Sequence, residues 1–275
     1  MTYSQDGSSE KRCYVTLDLE CDFGTALTTN TYEAAHDLDT LLSDLTTLDV
    51  PLTVFLQTEL VDAAPNVVQS LMDPPVPVEV HPHSHTHPPR DQADLEFEVA
   101  RSVEEIRSRF ATDPLGYRLP NGTIRPEDYS VLDDYDVDFD ASLFPSLFPG
   151  RFNNLECPQQ PFRHISGLLE IPFTVYSSAL PVPYSLSYLK LLGRPIQTLL
   201  RHNPPETIVF DMHLHDYALP STHRQLSHPA RFIYGRNRDS GPAILRSMLA
   251  AFESQGYEFE KLSKLYIEID SERPL

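Results

Sequence analysis

The sequence has no tryptophan, only three cysteines and only four lysines among its 275 residues. Cys13, Cys21 and Cys157 are odd in number and far apart, which excludes a disulfide framework and a zinc site of the CxxC type. No apolar run approaches the length of a membrane-spanning helix, and no apolar stretch of the secretory type precedes the first strand. These absences predict a cytoplasmic protein without an integral membrane segment.

Positive charge is also scarce. Forty acidic residues stand against 21 basic ones, so the net charge is −19. Such a surface repels a phosphate backbone, which argues against nucleic acid or an anionic membrane as a partner. The low share of lysine among the basic residues resembles a halophile-like composition, which keeps a protein soluble in concentrated salt.

The length and the 40% hydrophobic content predict one catalytic domain over residues 12–275, preceded by a flexible polar segment over residues 1–11. Strand patterns alternate with helix patterns, which predicts a parallel sheet. About seven such repeats favour an α/β fold of the distorted (β/α)7-barrel type. The predicted strands cover 13–17, 52–56, 76–80, 116–118, 137–140, 168–172 and 207–212, and the predicted helices cover 38–48, 61–72, 95–110 and 244–252.

Two segments fit this alternation badly. Residues 144–163 are rich in proline, phenylalanine and asparagine, and we expect a long loop beside the site. Residues 181–205 contain an apolar run that is either a core helix or a lid over a substrate groove. The core helix is the favoured interpretation.

Four of the eleven histidines lie within seven positions, directly after a predicted strand: His81, His83, His85 and His87. Neutral imidazole is a common ligand of zinc and similar metals, and His83 and His87 could meet one ion if a helical turn begins there. A surface histidine tract is the alternative. The internal position, between a strand and a helix, favours metal binding.

Two histidines leave a catalytic zinc one protein ligand short. Asp18, Glu20 and Asp22 follow the first predicted strand and can supply it. Residues 18 and 20 of an extended strand point the same way, so one carboxylate can bind the metal while the other takes a proton from water. By themselves these acids would fit a solvated acidic turn equally well.

Two further clusters follow predicted strands. In the segment 116–122, Arg118 can hold a carboxylate in a bidentate grip, and the Pro-Asn-Gly turn can aim a backbone N–H at an oxyanion. His213 and His215 end a later strand, where one of them could protonate a leaving group. Alone, either histidine would fit an ordinary interior position.

In their order, these clusters resemble the polysaccharide deacetylase family, also called NodB-homology or carbohydrate esterase family 4. Residues 79–88, Glu-Val-His-Pro-His-Ser-His-Thr-His-Pro, are similar to the family's His-x-x-x-His motif, and Arg118-Leu119-Pro120 to its Arg-x-Pro motif. The segments ending Phe-Asp-Ala-Ser-Leu-Phe-Pro at 145 and Glu-Ile-Pro at 172 also have counterparts. The resemblance implies a distorted barrel that hydrolyses an N-acetyl group on an amino sugar.

The resemblance further implies roles for individual residues. Asp18 would be the general base and His213 the general acid. Arg118 would steer Asp18, and the N–H of Asn121 would help to hold the oxyanion. His83 and His87 would be metal ligands.

The chain departs from the family pattern at several points. Leu19 replaces the second of two adjacent aspartates, which leaves Glu20 and Asp22 as alternative ligands. Glu20 is favoured because it shares a strand face with Asp18. Aligning Asp216 with the family's late acid selects His213 over His215. The tryptophan of the usual fourth motif is missing, and Asp140 is a candidate for orienting the late histidine.

Three functions remain in competition. The first is a deacetylase of a free, polymeric or lipid-linked amino sugar, with one divalent ion, zinc above others, as cofactor and a carbohydrate as partner. The second is a cyclic imide or ureide amidohydrolase on the same barrel. The third is a non-catalytic carbohydrate-binding or metal-binding protein.

Overall fold

The structure is a computed structural model that describes residues 10–148 and 152–272. The strands are β1 (Arg12–Leu19), β2 (Leu52–Leu56), β3 (Val78–Pro82), β4 (Gly116–Tyr117), β5 (Phe139–Asp140), β6 (Leu147–Phe148), β7 (Phe152–Asn153), β8 (Phe162–Arg163), β9 (Leu169–Glu170), β10 (Thr207–His213) and β11 (Glu258–Glu260). The helices are α1 (Leu38–Thr47), α2 (Leu60–Ala63), α3 (Pro65–Met72), α4 (Leu95–Phe110), α5 (Asp128–Asp133), α6 (Leu186–Leu192), α7 (Arg194–Arg201), α8 (Leu214–Tyr217), α9 (Ala230–Tyr234), α10 (Gly241–Glu253) and α11 (Leu262–Ser271).

The main sheet is parallel and has the order β10-β1-β2-β3. Seven of the eight residues of β1 are fully buried, because the strand is covered on both faces and is rich in residues that suit a pleated core. β2 pairs with the second half of β1 and β11 with its first half. All carboxyl ends of β1, β2, β3 and β10 therefore meet at one edge.

A second sheet, of order β4-β5-β9-β8, continues the first. The Arg118 amide donates to the Pro82 carbonyl at 3.2 Å, which joins the end of β4 to the end of β3. On the other side, the Asp211 amide donates to the Tyr184 carbonyl at 3.0 Å, and the Tyr184 amide donates to Thr174 at 2.9 Å. The two sheets thus surround a common interior and are joined on each side by the backbone hydrogen bonds just named.

The predicted α/β fold with a parallel sheet is confirmed. Each of the seven predicted strands is present, as β1, β2, β3, β4, β5, β9 and β10, although β4, β5 and β9 have only two residues each. Strands this short make few ladder hydrogen bonds, so the parallel strands form two separate sheets instead of one continuous sheet.

The interior below the carboxyl ends is filled. Aromatic and aliphatic side chains from five strands pack there against Leu262 and Leu265 of α11, which covers the opposite end. Apolar stripes of α1, α3, α6 and α10 cover the outer face of the main sheet. The predicted site residues follow these strands, so they lie at the edge opposite α11.

Several helices differ from the sequence-based boundaries. The helix predicted over 61–72 divides into α2 and α3, because Pro65 lacks the N–H that a continuous helix would need. Residues 181–205 contain α6 and α7, with Leu186 and Leu189 buried in the core, which supports the core-helix interpretation. β11 and α11, the last two elements, were not predicted.

The sequence also predicted a long loop, a flexible N-terminal segment and the absence of a membrane-spanning helix. Residues 144–163 hold the short β6–β7 pair and β8, while 149–151 lie outside the described residues. Of the predicted flexible segment 1–11, residues 1–9 also lie outside them. Within the described ranges, no helix combines the length and the apolar character that a membrane span requires.

Candidate metal centre and active site

Three groups predicted as metal ligands converge at the carboxyl edge of the main sheet. His83 follows β3, and Glu20 follows β1. Glu20 Oε2 lies 3.2 Å from His83 Nε2 and 2.5 Å from His87 Nε2. One donor atom from each of the three residues lies within 4.8 Å of the other two.

The ionisation of Glu20 suits a cation. Burial alone would raise the pKa of Glu20, but His87, His213 and His83 more than offset burial and hold it well below its usual range. The Nε2 of the buried His87 faces the Glu20 carboxylate at 2.5 Å, while its Nδ1 has no hydrogen-bond partner among the described residues. An imidazole nitrogen and a carboxylate oxygen this close together can both serve as ligands of one cation. The donor set fits a divalent transition metal.

The loop from His83 to His87 is not the helical turn that the spacing of four suggested. Ser84 and His87 both have positive φ, 64° and 59°, so the chain reverses between the two histidines. The His87 amide donates to Ser84 Oγ at 3.1 Å, which closes this reversal. His83 and His87 therefore meet through an irregular loop, with ring centroids 5.1 Å apart.

Glu98, on α4, holds this loop in place. Its carboxylate accepts the amides of His85 and Thr86 at 2.7 and 2.8 Å and the Thr86 hydroxyl at 2.5 Å. Sequence reasoning missed Glu98, because it lies within an ordinary acidic helix. Its burial on the apolar side of α4 is the signal that could have identified it.

Asp22, His81 and His85 lie away from Glu20, His83 and His87. Asp22 accepts the amides of Glu33 and Ala34 and the hydroxyls of Thr31 and Thr222, so it anchors loops. His85 contacts Thr58 and packs edge-on against Phe97, and His81 packs between Phe55 and Phe139 in the interior. Of the two alternative acids, Glu20 is the one beside His83 and His87.

Asp18 lies next to His83 and is held by Arg118. Arg118 Nη1 donates to Asp18 Oδ1 at 2.6 Å. The second oxygen, Oδ2, is 3.9 Å from His83 Nε2 and 3.8 Å from His213 Nε2. The predicted bidentate grip is wrong, because the Arg118 Nε instead donates to the Ala141 carbonyl at 2.8 Å.

His213 ends β10 and faces both acids. Its Nε2 lies 3.8 Å from Glu20 Oε1, and its Nδ1 lies 3.4 Å from Asp216 Oδ2. Burial would lower the pKa of His213, but Asp216, Glu20, Asp211 and Asp18 outweigh it and raise that pKa well above its ordinary value.

His215, the alternative to His213, is buried behind it. Its Nδ1 accepts the Phe23 amide at 3.3 Å, and burial lowers its pKa to about 4. The interpretation of Asp140 as the group that orients His213 is wrong. Asp140 accepts the amide and hydroxyl of Ser142, both at 2.8 Å, whereas Asp216 is the acid whose Oδ2 lies 3.4 Å from His213 Nδ1.

Asn121 reaches the same edge from the turn after β4. Its backbone is left-handed, with φ 61° and ψ 17°, and its side-chain oxygen accepts the Thr25 hydroxyl at 3.3 Å. Gly24 packs between this turn and the side chains of Glu20 and His87. A Cβ there would lie 3.2 Å from His87 Cε1 and 3.3 Å from Glu20 Oε1, and the backbone has φ 53°, so a larger residue would strain the backbone and press on both side chains.

Residues 10–139 match the family model "Polysaccharide deacetylase". No curated protein matches the chain. The predicted resemblance to the polysaccharide deacetylase family is confirmed.

Solved structures share the fold over most of the chain. A putative polysaccharide deacetylase from Mycobacterium smegmatis is 17% identical with a TM-score of 0.63, covering 98% of this chain and 95% of that one. The Puue allantoinase is 13% identical with a TM-score of 0.59, covering 96% and 91%. A family 4 carbohydrate esterase pseudoenzyme from Bacillus anthracis is 15% identical with a TM-score of 0.57, covering 94% of this chain and 66% of that one.

Proposed function

We propose that this chain, which matches the polysaccharide deacetylase family over residues 10–139 and has the fold of its solved members, is a metal-dependent deacetylase of amino sugars. It would hydrolyse an N-acetyl group. Water would attack the carbonyl carbon of the acetyl group, the C–N bond would break, and acetate and a free amine would be released. One arrangement carries the proposal. Glu20, His83 and His87 converge beside Asp18 and His213, whose Oδ2 and Nε2 lie 3.8 Å from each other.

A divalent ion held by Glu20, His83 and His87 would polarise the amide carbonyl and acidify a water molecule. Zinc is our choice, because two imidazoles and one carboxylate are a ligand set typical of catalytic zinc. The Nδ1 of His83 faces the Arg118 carbonyl, which keeps Nε2 available as a ligand atom.

Asp18 is suited to take the proton from the attacking water. Arg118 fixes its Oδ1, while Oδ2 remains directed towards His83 and His213. Positioned acid–base groups of this kind accelerate hydrolysis by about 10²–10⁴-fold.

His213 is suited to protonate the departing amine. Asp216 beside Nδ1 orients the ring and helps to raise its pKa, so that Nε2 carries a proton at neutral pH. The backbone N–H of Asn121, in the turn beside the cluster, is proposed to stabilise the oxyanion of the tetrahedral intermediate. The substrate's carbohydrate part would lie along the edge where the strands end.

Acetate release from a panel of N-acetylated amino sugars tests the proposal, with chelated enzyme and metal-restored enzyme as paired controls. We expect release that stops on chelation and returns with the divalent ion. Asp18→Asn should keep the metal but lose at least about 10²-fold in turnover. Full turnover in this variant at normal metal content would contradict the role of Asp18.

A cyclic amide hydrolase is a second candidate, because the Puue allantoinase shares the fold. Ring opening of cyclic ureides and imides, assayed beside acetate release, distinguishes the two activities. Metal-loaded protein that hydrolyses neither class would favour the third possibility, a non-catalytic binding protein, and one of the solved structures with this fold is a pseudoenzyme.

A further inference from the structure

One loop of this acidic chain gathers positive charge. Residues 223–238, here called the basic loop, contain four arginines, two histidines and no acidic residue, although the whole chain has 40 acidic residues among 275. A surface with a net charge of −19 repels an anion, so an anion binds most readily where positive charge is concentrated locally. The basic loop meets that condition.

Topology places the basic loop at the edge that carries the proposed site. β10 ends at His213, α8 follows it, and α10 begins only at Gly241. The two ends of the segment between α8 and α10 lie together, because a Cβ at Gly241 would be 2.2 Å from the carbonyl oxygen of Tyr217. A segment that follows the carboxyl end of a parallel strand lies on the side where barrels of this class bind their substrates.

Aromatic contacts connect the basic loop to the proposed reaction centre. The ring of Tyr234 packs against the rings of Phe23 and His215, with centroid distances of 4.9 and 5.4 Å. His215 in turn stacks on His213, the proposed acid, at 4.8 Å. A single ring therefore separates Tyr234 from the proposed acid, and the basic loop borders the region that would hold the sugar.

Hydrogen bonds anchor the basic loop near both of its ends. Just before it, the Thr222 hydroxyl donates to Asp22 Oδ2 at 2.9 Å. Near its other end, Asn237 Nδ2 donates to the Lys190 carbonyl at 2.6 Å. The backbone that carries the arginines is thus held against the loop after β1 and against α6. Such anchoring lowers the entropy that binding of a ligand would cost.

Most of the arginines of the basic loop are available to a ligand. Arg224, Arg231, Arg236 and Arg238 are all exposed. Within the described ranges, Arg238 pairs with Asp239 at 3.4 Å, whereas the other three form no ion pair. By contrast, the three arginines of α4 all pair with acidic residues. Three guanidinium groups therefore remain free to bind an anion.

Phosphate is the anion that suits this arrangement best. A guanidinium group binds carboxylate or phosphate through paired N–H groups. A phosphate ester carries up to about two charges and three acceptor oxygens, so it can engage several arginines at once. Phe232 is 57% exposed, and the Arg236 guanidinium lies 6.0 Å from its ring. An apolar surface beside the cations fits a group attached beyond the phosphate.

We propose that the basic loop binds a phosphate of the substrate, and that the amino sugar carries a phosphate or diphosphate ester that reaches Arg231 and Arg236. This inference rests on the proposed function and narrows its substrate class. A nucleotide-linked sugar and a lipid-linked sugar share this chemistry. The phosphate is the group that the arginines would recognise in either case.

Kinetics of the metal-loaded enzyme test the preference for phosphate. We expect a KM at least about tenfold lower for N-acetylglucosamine 1-phosphate than for the uncharged methyl glycoside of N-acetylglucosamine, because charge-assisted hydrogen bonds are gained. The double variant Arg231→Gln, Arg236→Gln should bring the ratio of the two KM values close to one. Equal KM values for both sugars in the wild type would overturn the proposal.

The matched control is the double variant Arg107→Gln, Arg109→Gln, which removes two exposed cations from α4. Both lie near the end of α4, before β4 begins, and hence at the opposite edge of the sheet. This variant should keep the wild-type ratio of KM values. A loss of the preference as large as in the Arg231→Gln, Arg236→Gln variant would show a general charge effect and refute a phosphate site in the basic loop.

Two longer substrates distinguish the sources of the phosphate. They are UDP-N-acetylglucosamine and farnesyl-diphospho-N-acetylglucosamine, which share the diphosphate and differ in the group beyond it. The one with the lower KM identifies the source, and Phe232→Ala should raise that KM more than the KM for the 1-phosphate. KM values for both that are no lower than that of the methyl glycoside would contradict the proposal.

Calorimetric titration with N-acetylglucosamine 1-phosphate gives a readout without turnover. The metal could bind phosphate itself, so the wild type and the Arg231→Gln, Arg236→Gln variant are compared at equal metal content. We expect binding at least about tenfold weaker in the variant, and equal affinity would refute the assignment. If no acetylated sugar is hydrolysed, the proposed function fails, while this titration still decides whether the basic loop binds phosphate.

Discussion

The Nδ1 of His83 lies 2.9 Å from the main-chain carbonyl oxygen of Arg118. A carbonyl oxygen only accepts hydrogen bonds, so Nδ1 carries the proton and Nε2 presents its lone pair towards Glu20. The side chain of the same Arg118 binds Asp18. One residue thus fixes the tautomer of a proposed metal ligand and the orientation of the proposed base.

Removal of His83 should abolish stoichiometric metal binding. We expect His83→Ala to lose more affinity than the roughly 10–100-fold that loss of an outer partner costs. His85→Ala is the matched control, because His85 belongs to the same tract but contacts Thr58 and Phe97. Elemental analysis of both variants checks this, and equal metal content in the two would refute the assignment of His83.

Glu20 and Asp22 should respond differently to loss of charge. Glu20→Gln should lower metal content, since its carboxylate faces His83 and His87. Asp22→Asn should keep the metal but unfold more readily, by about 1–3 kcal/mol, because four donors lose a charged acceptor. Metal titration together with denaturant unfolding distinguishes the two. Metal loss only in Asp22→Asn would reverse the choice of ligand.

Asp216 should set the alkaline limit of activity. Asp216→Asn removes a charge that helps to raise the pKa of His213, so His213 should lose its proton at lower pH. We expect kcat to fall by about 10²-fold or more and its alkaline limb to move to lower pH. The kcat–pH profile measures this, with His215→Gln as a control whose limb should not move. An unshifted limb in Asp216→Asn would count against His213 as the acid.

Asp140 and Glu170 form a buried acid pair, opposite each other on β5 and β9. Burial, followed by the charge of Asp140, raises the pKa of Glu170 well above its usual value, and burial also raises the pKa of Asp140. The folded state therefore holds more protons than the unfolded state above about pH 4.3, so this pair lowers folding stability as the pH rises.

Glu170→Gln should relieve that cost, because its amide can replace the protonated carboxyl group beside Asp140. The Tm of the variant should exceed that of the wild type at pH 8 and approach it at pH 5. Calorimetry at both values checks the sign. A variant destabilised equally at both would show that the bonds of Glu170 to Leu143 and Tyr129 dominate instead.

The sequence identified the proposed site because its residues follow strands. His83, Arg118 and His213 each come directly after or at the end of a strand pattern, and parallel strands bring such positions to one edge. The residues that support them could not be found in this way. Glu98 and Asp216 lie on helices, and their roles depend on which loop or ring those helices approach.

What the sequence determined by itself was local and periodic. The alternation of strands and helices, the α/β class, the family resemblance and the candidate residues all follow from patterns within short segments. Tertiary structure alone decided which acid stands beside His83 and His87, that the loop between them reverses its direction, and that Tyr234 packs against Phe23 and His215. These outcomes depend on distances between segments up to about 200 residues apart, which no local pattern encodes.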